Sequence, residues 1–353
     1  MATFAHMISE KIADFHIFPD TEVQGLKDLL SSPKRIVITT HKNPDGDAMG
    51  SSLGLWHALK QLGHDVVVVS PNQWDHFLAW LPGTKEVLNA YRDMELAGKL
   101  FNDAEVIFCL DFSASKRVGE IEQFMMEAPG QKVMVDHPID PEGWPEFLFH
   151  VEGISSTAEL IFRLLVQMGH SDLINKDIAE CLYTGLMTDT GSFRFSSTTA
   201  DVHRIVAELL DRGLDVGAIH NSVYDNFRES RMRFLGHLLL NKLKVLPEYK
   251  TAYITISIDE IKRFRVKSGD TDGIVNYNLG LRGINFGVLM KETPEGTKMS
   301  FRSIGRFACN EFAAHFNGGG HRNASGGKVD LSLAETEEMF AGLLKEYKKK
   351  LHY

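Results

Sequence analysis

Thr39-Thr-His-Lys-Asn-Pro-Asp-Gly-Asp-Ala-Met-Gly-Ser-Ser52 joins two stretches of different periodicity. Before it, Arg35-Ile-Val-Ile-Thr-Thr40 is a β-branched apolar run, the pattern of a buried strand. After it, Leu53-Gly-Leu-Trp-His-Ala-Leu-Lys-Gln-Leu62 repeats its apolar residues at helical spacing. The turn between them carries His41, Asp45 and Asp47. Crowding like charges into one turn is costly, and a divalent cation is the usual relief. The plainer alternative is an Asn-Pro-Asp-Gly turn in which Asp47 caps the helix. The partners of this stretch decide between the two.

Further β-rich runs follow at 65–70, 105–110, 132–135 and 147–151. Helical patterns separate the first three runs of the series. Strands alternating with helices predict an α/β fold built on a mostly parallel, doubly wound sheet. Ligands of such sheets bind beyond the carboxyl ends of the strands. The third run ends at Asp111 and the fourth in Asp136-His137-Pro138, so three strands deliver carboxylates or imidazoles to one edge. Asp189, after a helical segment at 177–187 and at the start of a Gly-Ser turn, is a fourth contributor. Each has a plainer reading. Asp111 could cap a helix beginning at Phe112, His137 could be a turn histidine, and Asp189 could make an Asx-turn. Chance would have to bring all of them to one edge.

His41, Asp45, Asp47, Asp111, Asp136, His137 and Asp189 together offer hard oxygen donors, imidazole and no thiolate. That set suits manganese, with magnesium, cobalt and iron as alternatives, and not a cysteine-rich structural zinc site. It exceeds the needs of one ion. Two ions about 3.5–4 Å apart with one bridging carboxylate would use it, and they would activate water against a phosphoester.

The chain has 353 residues, enough for two domains, and 43% hydrophobic residues give each a core. A metal-bearing domain is expected at 1–197, with a helical lead-in over 1–32. A helical linker follows at 198–240 and a smaller α/β domain at 241–353. In the last, strands are expected at 253–258, 285–290 and 299–304, with a turn at Pro294-Glu-Gly296 and a helix at 307–316. Gly318-Gly-Gly-His-Arg-Asn-Ala-Ser-Gly-Gly327 reads as a Gly-rich loop. It is either a flexible surface turn or a backbone nest for an anion, with His321 and Arg302 adding donors. The net charge of -9 argues against a grip on long nucleic acid and leaves short anions open. Three isolated cysteines, no basic-then-apolar leader and no bilayer-length apolar run predict a cytoplasmic protein without membrane attachment. Apolar helices leave room for a weak homodimer.

At these residues the sequence resembles the DHH/DHHA1 phosphoesterases, from about Lys34 to Lys345. His41-Lys-Asn-Pro-Asp-Gly-Asp-Ala-Met-Gly-Ser51 is similar to the first family motif, Asp111 to the second, Asp136-His137 to the third and Asp189 to the fourth. Asn317–Gly327 resembles the DHHA1 signature, and Met299-Ser-Phe-Arg-Ser303 its preceding strand. The size is similar to the nanoRNase and pAp phosphatase branch. The resemblance implies two manganese ions, magnesium or cobalt being alternatives. One would be held by His41, Asp45 and Asp111, the other by Asp47, Asp111, His137 and Asp189, with Asp111 bridging and Asp136 orienting its neighbours. Arg302, Ser303, Gly318, Gly319, Gly320 and His321 would hold the substrate across a cleft between the domains. Asp111, Asp136, His137 and His321 are the expected catalytic residues. Pro138 stands where the family has its second histidine, a loss that would lower the rate, shift the substrate range, or be covered by His321 or Arg117. The implied substrates are short oligoribonucleotides, pAp and dinucleotides, hydrolysed exonucleolytically. Cyclic or linear dinucleotides, polyphosphate and pyrophosphate are the rival enzymatic substrates, and a catalytically silent nucleotide-binding module is the non-enzymatic rival.

Overall fold

The computed structural model describes residues 15–137, 142–267 and 269–352, and of His321 the backbone only. Pro138, the first part of the lead-in and the side chain of His321 lie outside the described residues. The chain forms two compact units, dividing between Asn226 and Phe227.

The first unit is a six-stranded parallel sheet. In chain order it comprises α1 (Asp20–Leu29), β1 (Arg35–Thr40), α2 (Gly46–Gln61), β2 (Asp65–Ser70), β3 (Leu88–Asn89), α3 (Met94–Asp103), β4 (Val106–Leu110), α4 (Glu122–Glu127), β5 (Gln131–Asp136), β6 (Phe147–His150), α5 (Thr157–Gln167), α6 (Lys176–Asp189), α7 (Ala200–Leu210) and α8 (Val216–Tyr224). The strand order is β3-β2-β1-β4-β5-β6, as predicted for a doubly wound fold. Residue alternation sorts the strands into two apolar faces. Ile36, Ile38, Phe108, Leu110, Val133 and Val135 face one core with Leu53, Ile161 and Leu186. Val37, Ile107, Cys109 and Met134 face the other, with Phe101 and Met125. Burial on both faces explains why these strands read as continuous apolar runs.

The order reverses between β1 and β4, and that switch point positions the site. Thr40 is in register with Leu110, and Leu110 with Val135. The next residues, His41, Asp111 and Asp136, therefore leave the sheet side by side.

Helices α2 and α6 bring in the other two acidic groups, and glycines set their distance. A Cβ on Gly50 would run into the Cys181 carbonyl oxygen, and one on Gly54 would lie 2.7 Å from Leu182. A Cβ on Gly185 would lie 2.8 Å from the Asp47 carboxylate. Backbone thus meets backbone where Asp47 passes α6.

The second unit holds α9 (Glu229–Asn241), β7 (Leu243–Leu246), β8 (Thr251–Ile256), α10 (Ile258–Arg263), α11 (Ile274–Leu279), β9 (Phe286–Thr293), β10 (Gly296–Ser303), α12 (Cys309–Ala313), β11 (Gly319–His321), β12 (Ala324–Val329) and α13 (Leu333–Leu351). Its sheet runs β11-β12-β10-β9-β8-β7, antiparallel except for β8 beside β9. Helices cover both faces. Phe234, Leu235 and Leu238 of α9 pack on Ile254, Ile256 and Leu289. Opposite, Phe286, Phe301, Phe312, Phe316 and Phe340 form an aromatic core.

Two local expectations change. The Gly-rich stretch is a strand pair, Gly320 opposite Ser325 and His321 opposite Ala324. Glycine carries no alternation signal, yet only glycine fits there, because a Cβ on Gly318 would strike the Gly326 carbonyl and Gly320 has φ +132. The expected linker divides: Val202, Ile205, Leu209, Ile219 and Val223 join the first core, whereas α9 joins the second. Among the described residues no helix is long and apolar enough to cross a membrane.

Gly50→Ala tests the helix contact. Alanine gains about 1 kcal/mol of helix propensity, but overpacking against an unyielding carbonyl costs about 1–3 kcal/mol or more. A net loss of roughly 1–2 kcal/mol is expected in urea denaturation, and a neutral or stabilised variant would show that the helices separate freely.

Candidate metal centre

The turn after β1 builds the first part of the site. Asp45, not Asp47 as the plainer reading had it, caps α2: its side chain accepts from the backbone N–H groups of Asp47 and Ala48 at 3.0 and 3.1 Å. That frees Asp47 to point elsewhere. His41 Nδ1 lies 3.0 Å from the Lys42 carbonyl. A carbonyl only accepts, so Nδ1 donates, and the neutral ring presents its lone pair at Nε2.

Asp111 is the hub. Its backbone is left-handed, φ +64, which costs a non-glycine residue on the order of 1 kcal/mol. No helix starts at Phe112, so the capping alternative does not apply. Asp111 Oδ2 lies 3.3 Å from His41 Nε2, and Oδ1 lies 3.6 Å from His137 Nε2. His137 Nε2 is also 3.4 Å from Asp189 Oδ2 and 3.9 Å from Asp47 Oδ2. Asp45 Oδ2 completes the other side, 3.9 Å from His41 Nε2. Asp189 is the last residue of α6, after which the chain turns through left-handed Gly191, Ser192 and Phe193.

Two groups of donor atoms result, each with all atoms within 4.8 Å of one another: His41, Asp45 and Asp111, and Asp47, Asp111 and His137. They share Asp111. Carboxylate oxygen plus imidazole nitrogen fits a hard or borderline divalent cation. Asp136 and Asp189 stand outside both groups, Asp189 reaching the second only through its contact with His137. Asp136 is fully buried, one oxygen accepts from the His137 N–H at 2.9 Å, and the other has no hydrogen-bond partner among the described residues.

The protonation pattern shows what this crowding costs without a cation. Burial alone would lower His41, but hydrogen bonding to Asp111 and its charge raise it to about 9. The same contest raises His137 to about 10. Burial pushes the Asp111 carboxyl up, but hydrogen bonds from His137 and His41 outweigh it and hold the group well below the usual carboxylate range. Burial, then repulsion from Asp111, raises Asp47 and lifts Asp136 to about 7. Burial dominates at Asp189, also raised to about 7. Protons neutralise what cations otherwise would.

In the second unit, Arg302, Ala324 and His321 occupy one row across β10, β12 and β11. Arg302 donates to the Phe301 carbonyl at 2.9 Å. Ser303 is committed internally: its hydroxyl donates to the Phe307 carbonyl at 2.6 Å and accepts from Asn323 at 2.8 Å.

Residues 35–186 match the model of the DHH family, N-terminal domain, and residues 249–352 match the DHHA1 domain. The bifunctional oligoribonuclease and PAP phosphatase NrnA of Thermus thermophilus is 30% identical over 318 residues, 88% of this chain and 89% of its own. The chain belongs to the DHH/DHHA1 family. The enzyme of the same name from Bacillus subtilis is 26% identical over 87% of this chain and 93% of its own. A crystal structure of an exopolyphosphatase-related protein from Bacteroides fragilis superposes with a TM-score of 0.92 at 40% identity, over 96% of this chain and 99% of that one. Membership makes this DHH chain a phosphoester hydrolase.

One part of the DHH site escaped the sequence reading. The N-terminus of α5 points at the acidic cluster. Thr157 N–H donates to Asp47 Oδ2 at 2.7 Å and Ala158 N–H to Asp47 Oδ1 at 2.8 Å. The Thr157 hydroxyl donates to Asp111 Oδ1 at 3.1 Å. The helix dipole thus steadies a carboxylate buried almost completely. Ser156 caps this helix by accepting from Glu159 N–H. The Ser-x-x-Glu spacing was the available signal.

Two outcomes are expected. Divalent metal must displace protons from His41 and His137 below about pH 9, and from Asp189 below about pH 7. Affinity for Mn²⁺ therefore rises with pH across 6 to 9, and calorimetry in buffers of different ionisation enthalpy records proton release on binding. A pH-independent affinity would contradict the cluster described. Thr157→Val removes the hydroxyl contact to Asp111 and lowers Mn²⁺ affinity by about 10-fold; unchanged affinity by the same titration would reduce the contact to packing.

Proposed function

We propose that His41, Asp45 and Asp111 hold one divalent ion and that Asp47, Asp111, His137 and Asp189 hold a second. Manganese is preferred, with magnesium or cobalt as substitutes. The substrates are short oligoribonucleotides and pAp. The observation that carries this reading is the pair of donor groups meeting at Asp111. Bound ions at such sites supply an activated water and neutralise phosphoryl charge. The chain's own groups do the rest. Asp111 divides its two oxygens between the two histidines. Asp136 fixes His137 through the backbone N–H. Burial of Asp47 and Asp111 keeps the surrounding dielectric low, which strengthens their pull on cations. Arg302 with Gly318, Gly319, Gly320 and His321 is assigned to the substrate's phosphate or terminal nucleotide, Arg by charge and glycine by open backbone N–H groups. Ser303 is assigned to the same group of residues as a support, given its internal hydrogen bonds.

The relatives' names support the substrate class, since two are named for oligoribonuclease and PAP phosphatase activity. The net charge of -9 supports short substrates, because nothing in it favours counterion release from a long polyanion. Three buried free thiols suit a reducing cytoplasm.

The decisive measurement is turnover of pAp, the dinucleotide pApA, cyclic dinucleotides, pyrophosphate and polyphosphate with Mn²⁺, Mg²⁺ or Co²⁺. Hydrolysis of pAp and pApA with Mn²⁺ is expected, falling by about 100-fold or more in Asp111→Ala. Turnover of polyphosphate or pyrophosphate in their place would reassign the substrate.

A further inference from the structure

Away from the acidic cluster, the same sheet edge holds a groove of about 440 Å³ at the carboxyl ends of β2 and β3. Ser70 and Asn89, the last residues of those strands, are in register. Parallel neighbours are about 4.8 Å apart, so Asn89 lies two spacings, roughly 10 Å, along the edge from β1. The end of β4, which carries Asp111, is one spacing further, roughly 14 Å from Asn89, a span for a dinucleotide and not for a single nucleotide. The groove is also tied to the site. Asn43, in the turn between His41 and Asp45, exchanges two hydrogen bonds with Asn72, at 2.6 and 2.7 Å. Gln73 and Trp74, which follow Asn72, line the groove.

The lining is chemically specific. Asn89 is 8% exposed, and its Oδ1 has no hydrogen-bond partner among the described residues. A buried amide oxygen without a donor is costly. Its Nδ2 donates only to Gln73 Oε1, at 3.2 Å. Gln73 is itself exposed, so it acts as a side chain that a ligand can displace. Displacement frees the Nδ2 donor beside the Oδ1 acceptor, the pairing that matches the amine and ring-nitrogen edge of adenine. Trp74 is half-buried beside it and offers a ring for stacking. Lys85, Arg92 and Asp93, all exposed, line the rim, two positive charges against one negative.

We propose that this groove is a nucleobase subsite, in which the Asn89 amide reads the amine-bearing edge of one base of the substrate and Trp74 stacks on it. The assignment rests on the substrate reading above and deepens it by giving the enzyme a reason to prefer a nucleotide over a bare phosphoester.

The test compares pApA with two analogues, each carrying unsubstituted purine in place of one adenine and so lacking one exocyclic amine. For the wild-type enzyme, kcat/KM is expected to fall about tenfold for one analogue and not for the other, the worth of one buried hydrogen bond. Asn89→Leu is expected to lower kcat/KM for pApA by about the same factor and to treat pApA and that analogue alike. Gln73→Ala, which keeps Asn89, retains the discrimination. If Asn89→Leu does not fold, Trp74→Ala serves instead, with KM for pApA raised roughly tenfold through lost stacking. Equal turnover of pApA and both analogues by the wild-type enzyme overturns the subsite and leaves the substrate reading standing. So does discrimination that survives in Asn89→Leu. No turnover of pApA at all overturns the substrate reading, and the subsite with it.

Discussion

Asp111 faces His41 with one carboxylate oxygen and His137 with the other, from a left-handed backbone at the end of β4. Every other element of the site is arranged around that double contact. The register of β1, β4 and β5 brings the three residues out of the sheet together. The switch point between β1 and β4 leaves the space above them open to a ligand. The hydroxyl of Thr157 takes up Asp111 Oδ1 from the far side.

The energetic problem is concentrated negative charge in a buried place. Asp47 and Asp111 are 1% and 7% exposed, too buried for water to screen them. The fold answers at two levels. Permanent dipoles act first: α5 gives Asp47 two peptide N–H groups, and the first turn of α2 gives Asp45 two more. Mobile charge completes the balance, as protons on histidine and carboxyl groups or as divalent cations. The same crowding that makes the metal-free state expensive makes it receptive to metal.

Much of this was legible because the fold's strongest signals and the site's residues coincide. Apolar β-branched runs mark the strands, and His41, Asp111 and Asp136 each follow such a run by a residue or two. What stayed hidden works through the main chain. The α5 N-terminus contributes peptide N–H groups, which no residue type announces. The cap of α2 fell to Asp45 because both carboxylates suit the role by composition, and only the turn geometry separates them. The Gly-rich strand pair lacks the side chains by which strands are read. The division at Asn226 was equally silent, since an apolar helix face shows that it packs but not on which core. Asn89 gave no sign, because a buried amide with an idle oxygen is a property of its surroundings.

The register of the parallel sheet has a kinetic corollary. His41 and Asp111 meet only after β1 and β4, some seventy residues apart, have paired, and Asp189 is further along still. Parallel pairings of this span close late, because loop entropy is spent before contacts return it. The acidic cluster cannot be complete until those strands have paired. A cation that needs the finished cluster stabilises the end of the folding path and not its nucleus. A cation bound there would act as a latch on escape from the native state, lengthening the time the first unit persists once made.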